Sequence, residues 1–135
     1  MAIKVKIEKS QKGIYWGTTQ NIPGSVTADG STLEELKENL KDAIELYIET
    51  AKEHEIEIYE KLKSGFELEL EIELSQVFKK VKVLNKSEFA KRLGINPALM
   101  RQYATKKTIY VSEKRAAEIQ KGLHSLGEEL LAIKL

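Results

Sequence analysis

The sequence predicts an α+β fold: a small sheet carrying one packed helix over residues 1–74, then an all-α domain over residues 75–135. Three observations predict it. Apolar and charged residues alternate from Ile3 to Glu8 and again from Phe66 to Leu74, the period of a strand with one buried face. Leu33, Leu36, Leu40, Ala43, Ile44, Tyr47 and Ala51 recur every three or four residues, the period of a helix lying across such a sheet. From Asn85 to Ala104, two short helical segments with separate start signals are divided by Gly94.

In chain order, Ile3, Val5 and Ile7 alternate with Lys4, Lys6 and Glu8 to give the first strand. Lys12 and Gly13 mark a turn, and a second strand runs from Ile14 to Thr19 through Tyr15 and Trp16. Pro23 and Gly24 break the run before a short third strand at Ser25 to Ala28, which completes a three-strand meander. Asp29 and Gly30 then read as a turn. Either Ser31 with Glu34 or Thr32 with Glu35 can cap the long helix, which reaches at least Ala51.

After a polar, Glu-rich continuation comes the strongest strand signal: Phe66, Leu68, Leu70, Ile72 and Leu74 alternate with Glu67, Glu69, Glu71 and Glu73. Alternate side chains on a strand project in parallel, about 6 to 7 Å apart. Such a comb of carboxylates does not converge on one point, as metal catalysis requires. Placed beside the first strand, it sets Glu residues next to Lys4 and Lys6, where opposite-charge pairs contribute about 0.2 to 1 kcal/mol each. The remaining Glu give the module an acidic surface.

Ser75 is expected to cap a short helix through Gln76 to Lys80, sending Val77, Phe78 and Val81 into a C-terminal core. Asn85, with Glu88 three residues on, forms a capping box for the next helix, whose inner face is Phe89, Ala90 and Leu93. Gly94 supplies the positive φ that ends it, Ile95 tucks inward, Asn96 caps the following helix and Pro97 occupies its first position. Leu99, Met100 and Tyr103 then face inward. Ala98, Arg101, Gln102 and Thr105 face outward.

This series reads as a helix-turn-helix. Arg can fork onto guanine O6 and N7 and Gln can pair with adenine N6 and N7, so Ala98, Arg101 and Gln102 are the expected base-edge contacts in a DNA major groove. Lys86, Asn96, Lys106 and Lys107 are the expected phosphate contacts. A helical hairpin with no nucleic-acid partner is the plainer alternative. Beyond it, Thr105 to Val111 reads as a polar loop and Ser112 as the cap of a last helix with an apolar stripe from Ala116 through Ile119, Leu123, Leu126 and Leu130 to Ile133. Its Ala116 to Leu123 portion is expected to complete the bundle; its last two turns suit either the bundle or a second subunit. A homodimer or higher homo-oligomer is expected, because helix-turn-helix readers commonly grip two half-sites with two copies.

Charge divides the chain the same way. Residues 79–135 hold ten Lys and three Arg against five Glu, a net of +8, whereas residues 1–78 hold nine Lys against sixteen acidic residues, a net of −7. The whole-chain net of +1 hides this split, which assigns different partners to the two parts. The basic part suits a phosphate backbone. With 41% hydrophobic residues the chain can bury a core. No stretch has the length of a membrane span and the N-terminus lacks a secretory apolar run, so no membrane association and a cytoplasmic location are expected. Cys is absent, which excludes disulfides and thiolate chemistry, and His54 and His124 lack zinc-ligand spacing. No cofactor, metal site or catalytic residue is expected.

The order of the elements resembles a known family. Residues 3–49, IKVKIEKSQKGIYWGTTQNIPGSVTADGSTLEELKENLKDAIELYIE, look like the N-terminal half of HicB antitoxins, through the first strand, the Pro23-Gly24 turn, the Asp29-Gly30-Ser31-Thr32 cap and the Leu/Ala helix. NKSEFAKRLGINPALMRQYATKK is similar to the DNA-binding half of members that use a helix-turn-helix. The resemblance implies a partial RNase H-like fold without nuclease activity over 1–74. It also implies a HicA-type mRNA-cleaving toxin as partner and repression of the antitoxin's own operon through operator DNA. Ser25 departs from the pattern, standing where many members have Cys. An acidic module attracting a basic, RNA-gripping toxin gives this reading a physical rationale. The competing expectations are a free-standing helix-turn-helix regulator with an N-terminal sensor or dimerisation module, and an enzyme with an RNase H-like site; Glu8, Asp29 and Glu69 do not reproduce such a carboxylate set.

Overall fold

A computed structural model describes all residues, Met1 to Leu135. The chain is α+β and divides into two compact units, Met1–Glu71 and Ile72–Leu135. The division falls inside a strand, a few residues before the boundary expected after Leu74.

In the first unit, β1 (Ala2–Lys9), β2 (Tyr15–Thr19) and β3 (Thr27–Gly30) form an antiparallel meander. β4 (Glu67–Glu73) lies on the other side of β1. Glu67 N–H donates to Met1 O at 3.0 Å, so β4 starts beside the start of β1 and the two run in the same direction. The sheet is therefore mixed.

The period-two reading of β1 describes its packing: Ile3, Val5 and Ile7 are buried and Lys4 and Glu8 are exposed. α1 (Leu33–Glu53) buries Leu36, Leu40 and Ile44 in the same core. Gly30 sets the approach of the helix. A Cβ there would stand 2.5 Å from Leu36 N and 2.9 Å from Leu36 Cα, so only glycine lets the first turn of α1 sit against β3. Asn39 Nδ2 then donates to Asp29 O at 2.8 Å, fixing the helix along the strand.

Several boundaries differ from expectation. β3 starts and ends later than Ser25–Ala28, because Asp29 and Gly30 pair in register with Trp16 and Tyr15 instead of turning. The turn comes at Ser31. Thr32 is the residue that caps α1, accepting from Glu35 N–H at 3.1 Å, and the Glu35 carboxylate reaches back to the Ser31 N–H and hydroxyl. That bonding holds the Glu35 carboxyl below the usual carboxylate range. The Glu-rich continuation contains a short helix, α2 (Ile58–Leu62), which buries Ile58 and Leu62 at the i, i+4 spacing.

In the second unit, α3 (Ser75–Lys80), α4 (Lys86–Leu93), α5 (Pro97–Thr105) and α6 (Glu113–Ala132) pack around Phe78, Phe89, Ala90, Met100 and Ile119. This unit is not all-α. The segment read as a loop from Thr105 to Val111 leads into β5 (Tyr110–Ser112), which adds a fifth strand beside the end of β4. Leu74 N–H donates to Ile109 O at 2.9 Å and Ile109 N–H to the Glu73 carboxylate at 3.5 Å. Nor does Ser75 cap α3. Its own N–H, at 2.8 Å, and its hydroxyl donate to the Glu73 carboxylate, which performs the capping from two residues upstream.

Candidate nucleic-acid interface

The segment from Asn85 to Thr105 is built almost wholly from local signals. Asn85 opens α4 by accepting from Glu88 N–H at 3.1 Å. Glu88 does not complete a capping box; its carboxylate pairs with Lys91 at 3.3 Å, one turn along the helix. Phe89 and Ala90 are buried, and α4 ends at Gly94, whose φ of 69° and ψ of 25° are left-handed. Gly94 N–H donates to Lys91 O at 3.2 Å and Ile95 N–H to Ala90 O at 2.9 Å, satisfying carbonyls that the helix end leaves open. Ile95 is thereby turned into the core, where it is 5% exposed.

Asn96 then caps α5, accepting from Ala98 N–H at 2.8 Å, and Pro97 takes the first helical position. This leaves the Asn96 side-chain amide nitrogen as a donor. Met100 and Tyr103 are buried and Leu99 is half-buried, so the opposite face of α5 presents Ala98, Arg101, Gln102 and Thr105 to solvent. The Thr105 hydroxyl is spent on Arg101 O at 2.9 Å. Lys106 closes the helix through its backbone N–H, bonded to Gln102 O at 3.1 Å, and its side chain, like that of Lys107, is exposed. Lys86, at the start of α4, is half-buried.

Three of the thirteen cations of this unit are held in ion pairs and ten are not. Lys91 is paired with Glu88, Arg92 with Glu129 of α6, and Arg115 with Glu118 at 3.8 Å. The bond between Arg92 and Glu129 holds the guanidinium more firmly protonated and the carboxyl below the usual carboxylate range. Lys86, Arg101, Lys106 and Lys107 have no carboxylate partner. They are the cations at the two ends and along the exposed face of the α4–α5 pair. Over Ile72–Leu135, thirteen basic residues stand against six acidic ones, a net of +7.

A surface with an exposed Arg–Gln pair on one helix and unneutralised cations around it can place hydrogen-bonding side chains on base edges while lysines meet phosphates. The Arg92–Glu129 pair was not legible in the sequence, since it joins residues on separate helices. No group of three His, Asp or Glu side chains is arranged to hold a metal ion, and no helix is long and apolar enough to cross a membrane. Comparison with protein-family models, with curated proteins and with solved structures finds no match for this chain.

Proposed function

We propose that this chain is an antitoxin of the HicB type. In this reading its second unit is a helix-turn-helix repressor of its own operon, and its first unit is a partial RNase H-like module that neutralises a HicA-type mRNA-cleaving toxin by covering it. The observation that carries the DNA-binding half is the exposed Ala98, Arg101 and Gln102 face of α5, held by the Gly94 turn and flanked by the unpaired Lys86, Lys106 and Lys107. Nothing in the chain competes with phosphate for those cations. Asn96, with its oxygen committed to the cap, offers its remaining amide donor to a phosphate.

The toxin-binding half is supported by charge and by one side chain. Met1–Glu71 holds nine Lys against fifteen acidic residues, a net of −6, which attracts a basic protein. On the sheet, Trp16 is 46% exposed and stands in register between Glu8 of β1 and Asp29 of β3. An indole beside carboxylates suits a protruding Lys or Arg side chain, and Trp is a common anchor of protein interfaces.

The reading predicts that growth arrest by a HicA-type toxin, taken first from the reading frame adjacent to the gene, is relieved by co-expression of this chain. Relief should weaken with Trp16→Ala while DNA binding persists. Arrest that this chain leaves unrelieved, with intact DNA binding, would instead favour a free-standing helix-turn-helix regulator.

A further inference from the structure

The second unit carries an apolar groove of about 360 Å³ between the α3–α4 connection and the end of α6, lined by Val81, Val83, Leu84, Phe89, Leu126 and Leu130. Val83 on the connection is 97% exposed and Leu130 on α6 is 59% exposed. The polar groups of the lining are already engaged: the Asn85 side-chain oxygen caps α4, Glu88 is paired with Lys91 and Arg92 with Glu129. Cations without a carboxylate partner stand beside the apolar residues. Lys80 precedes Val81, Lys82 lies between Val81 and Val83, and Lys134 follows the exposed Leu131 and Ile133 beyond the end of α6. All three lysines are exposed.

We infer that this groove receives an acidic amphipathic helix of a partner protein, whose apolar face enters between α6 and the α3–α4 connection while its carboxylates meet Lys80, Lys82 and Lys134. Charge selects the sign of the occupant. The lysines border the apolar residues in a unit of net +7, so a basic occupant, a second copy of this unit included, would bring like charges together around the contact. Asp or Glu flanking apolar anchors neutralises them instead.

The lining selects a helix. An extended segment would bury backbone N–H and C=O groups against Val, Leu and Phe side chains, where leaving them unsatisfied is costly. A helix satisfies its own backbone and presents apolar side chains one and two turns apart. A lipid surface takes apolar groups that lie along one face; here they wall a cleft, the shape that a side-chain anchor fills. Arg101, Gln102, Lys106 and Lys107 do not line this cleft, so it stands independently of the DNA-binding reading.

Selection on the full chain from a displayed library of random peptides of about 20 residues, long enough to hold a helix, tests it, with the tightest peptide then measured by fluorescence anisotropy. The enriched peptides are expected to carry apolar residues at helical spacing among Asp and Glu. Val83→Glu should weaken the tightest peptide on the order of 30-fold. Lys82→Glu should weaken it on the order of 5-fold, an effect that fades as salt rises. Lys106→Glu combined with Lys107→Glu, outside the groove, should leave the affinity within about 2-fold, which separates seating in the groove from general attraction to a basic unit. These side chains are all exposed, so an unchanged circular dichroism spectrum should accompany each variant. No enrichment, enriched peptides without acidic residues, or a tightest peptide indifferent to Val83→Glu would overturn the inference. So would a dimer in sedimentation equilibrium that Val83→Glu dissociates, which assigns the groove to a second copy, or binding to phosphatidylserine vesicles that Val83→Glu abolishes, which assigns it to a lipid surface.

Discussion

Gly94 occupies the position on which the α4–α5 geometry turns. A Cβ there would meet nothing within 4 Å, so space does not demand glycine; the φ of 69° does. Gly94→Ala should therefore destabilise the protein by about 1 to 2 kcal/mol, the cost of a left-handed residue with a side chain. The shift of the urea unfolding midpoint measures it, and an unchanged midpoint would show that the turn relaxes. Residues whose roles are local were legible in the sequence. Asn85, Gly94, Asn96 and Pro97 act on the turn of chain next to them, so their spacing carried the information. Glu73 was not legible in this way. One carboxylate binds Ser75 and Ile109, and the second of these lies 36 residues away. In the sequence it is one tooth of an alternating comb.

At the scale of elements, the strands and helices with strong periodicity formed as read: β1, β4, α1, and the capped pair α4 and α5. Those misread depend on pairing. Asp29 and Gly30 have the composition of a turn, yet β2 supplies ladder partners for both, and Gly30 is needed there because α1 passes within 2.5 Å of where a Cβ would sit. Gly30→Ala should lower stability by about 1 to 3 kcal/mol, as overpacking against backbone does. Thermal unfolding followed by circular dichroism checks this, and a melting temperature equal to wild type would contradict the packing account. β5 and α2 are only a few residues long, too short to show a period. β5 exists because the end of β4 offers it an edge; α2 exists because Ile58 and Leu62 find a core. Such information lies in the rest of the chain.

Across the whole molecule, charge separation is the property that links sequence to proposed activity. The first unit carries −6 and the second +7, so a strongly charged molecule attracted by one is repelled by the other. The candidate groove-reading face was legible because the inward positions of α5 are apolar and its outward positions polar, a contrast carried by helical spacing alone. The apolar groove at the end of α6 was less so: the stripe through Leu126, Leu130 and Ile133 is the same whether a bundle or a second subunit covers it. The exposure of Leu130, Leu131 and Ile133 shows that the bundle leaves its last turns uncovered.

The central claim is that α5 reads DNA sequence, and selection of bound duplexes from a random pool tests it most directly. The account predicts one enriched motif for the wild-type chain. Arg101→Ala or Gln102→Ala should relax discrimination at a single base position by about 1 to 3 kcal/mol, while Lys106→Ala should weaken binding to every sequence alike. No enrichment by the wild type, or the same motif at full discrimination from both the Arg101 and Gln102 variants, would contradict it.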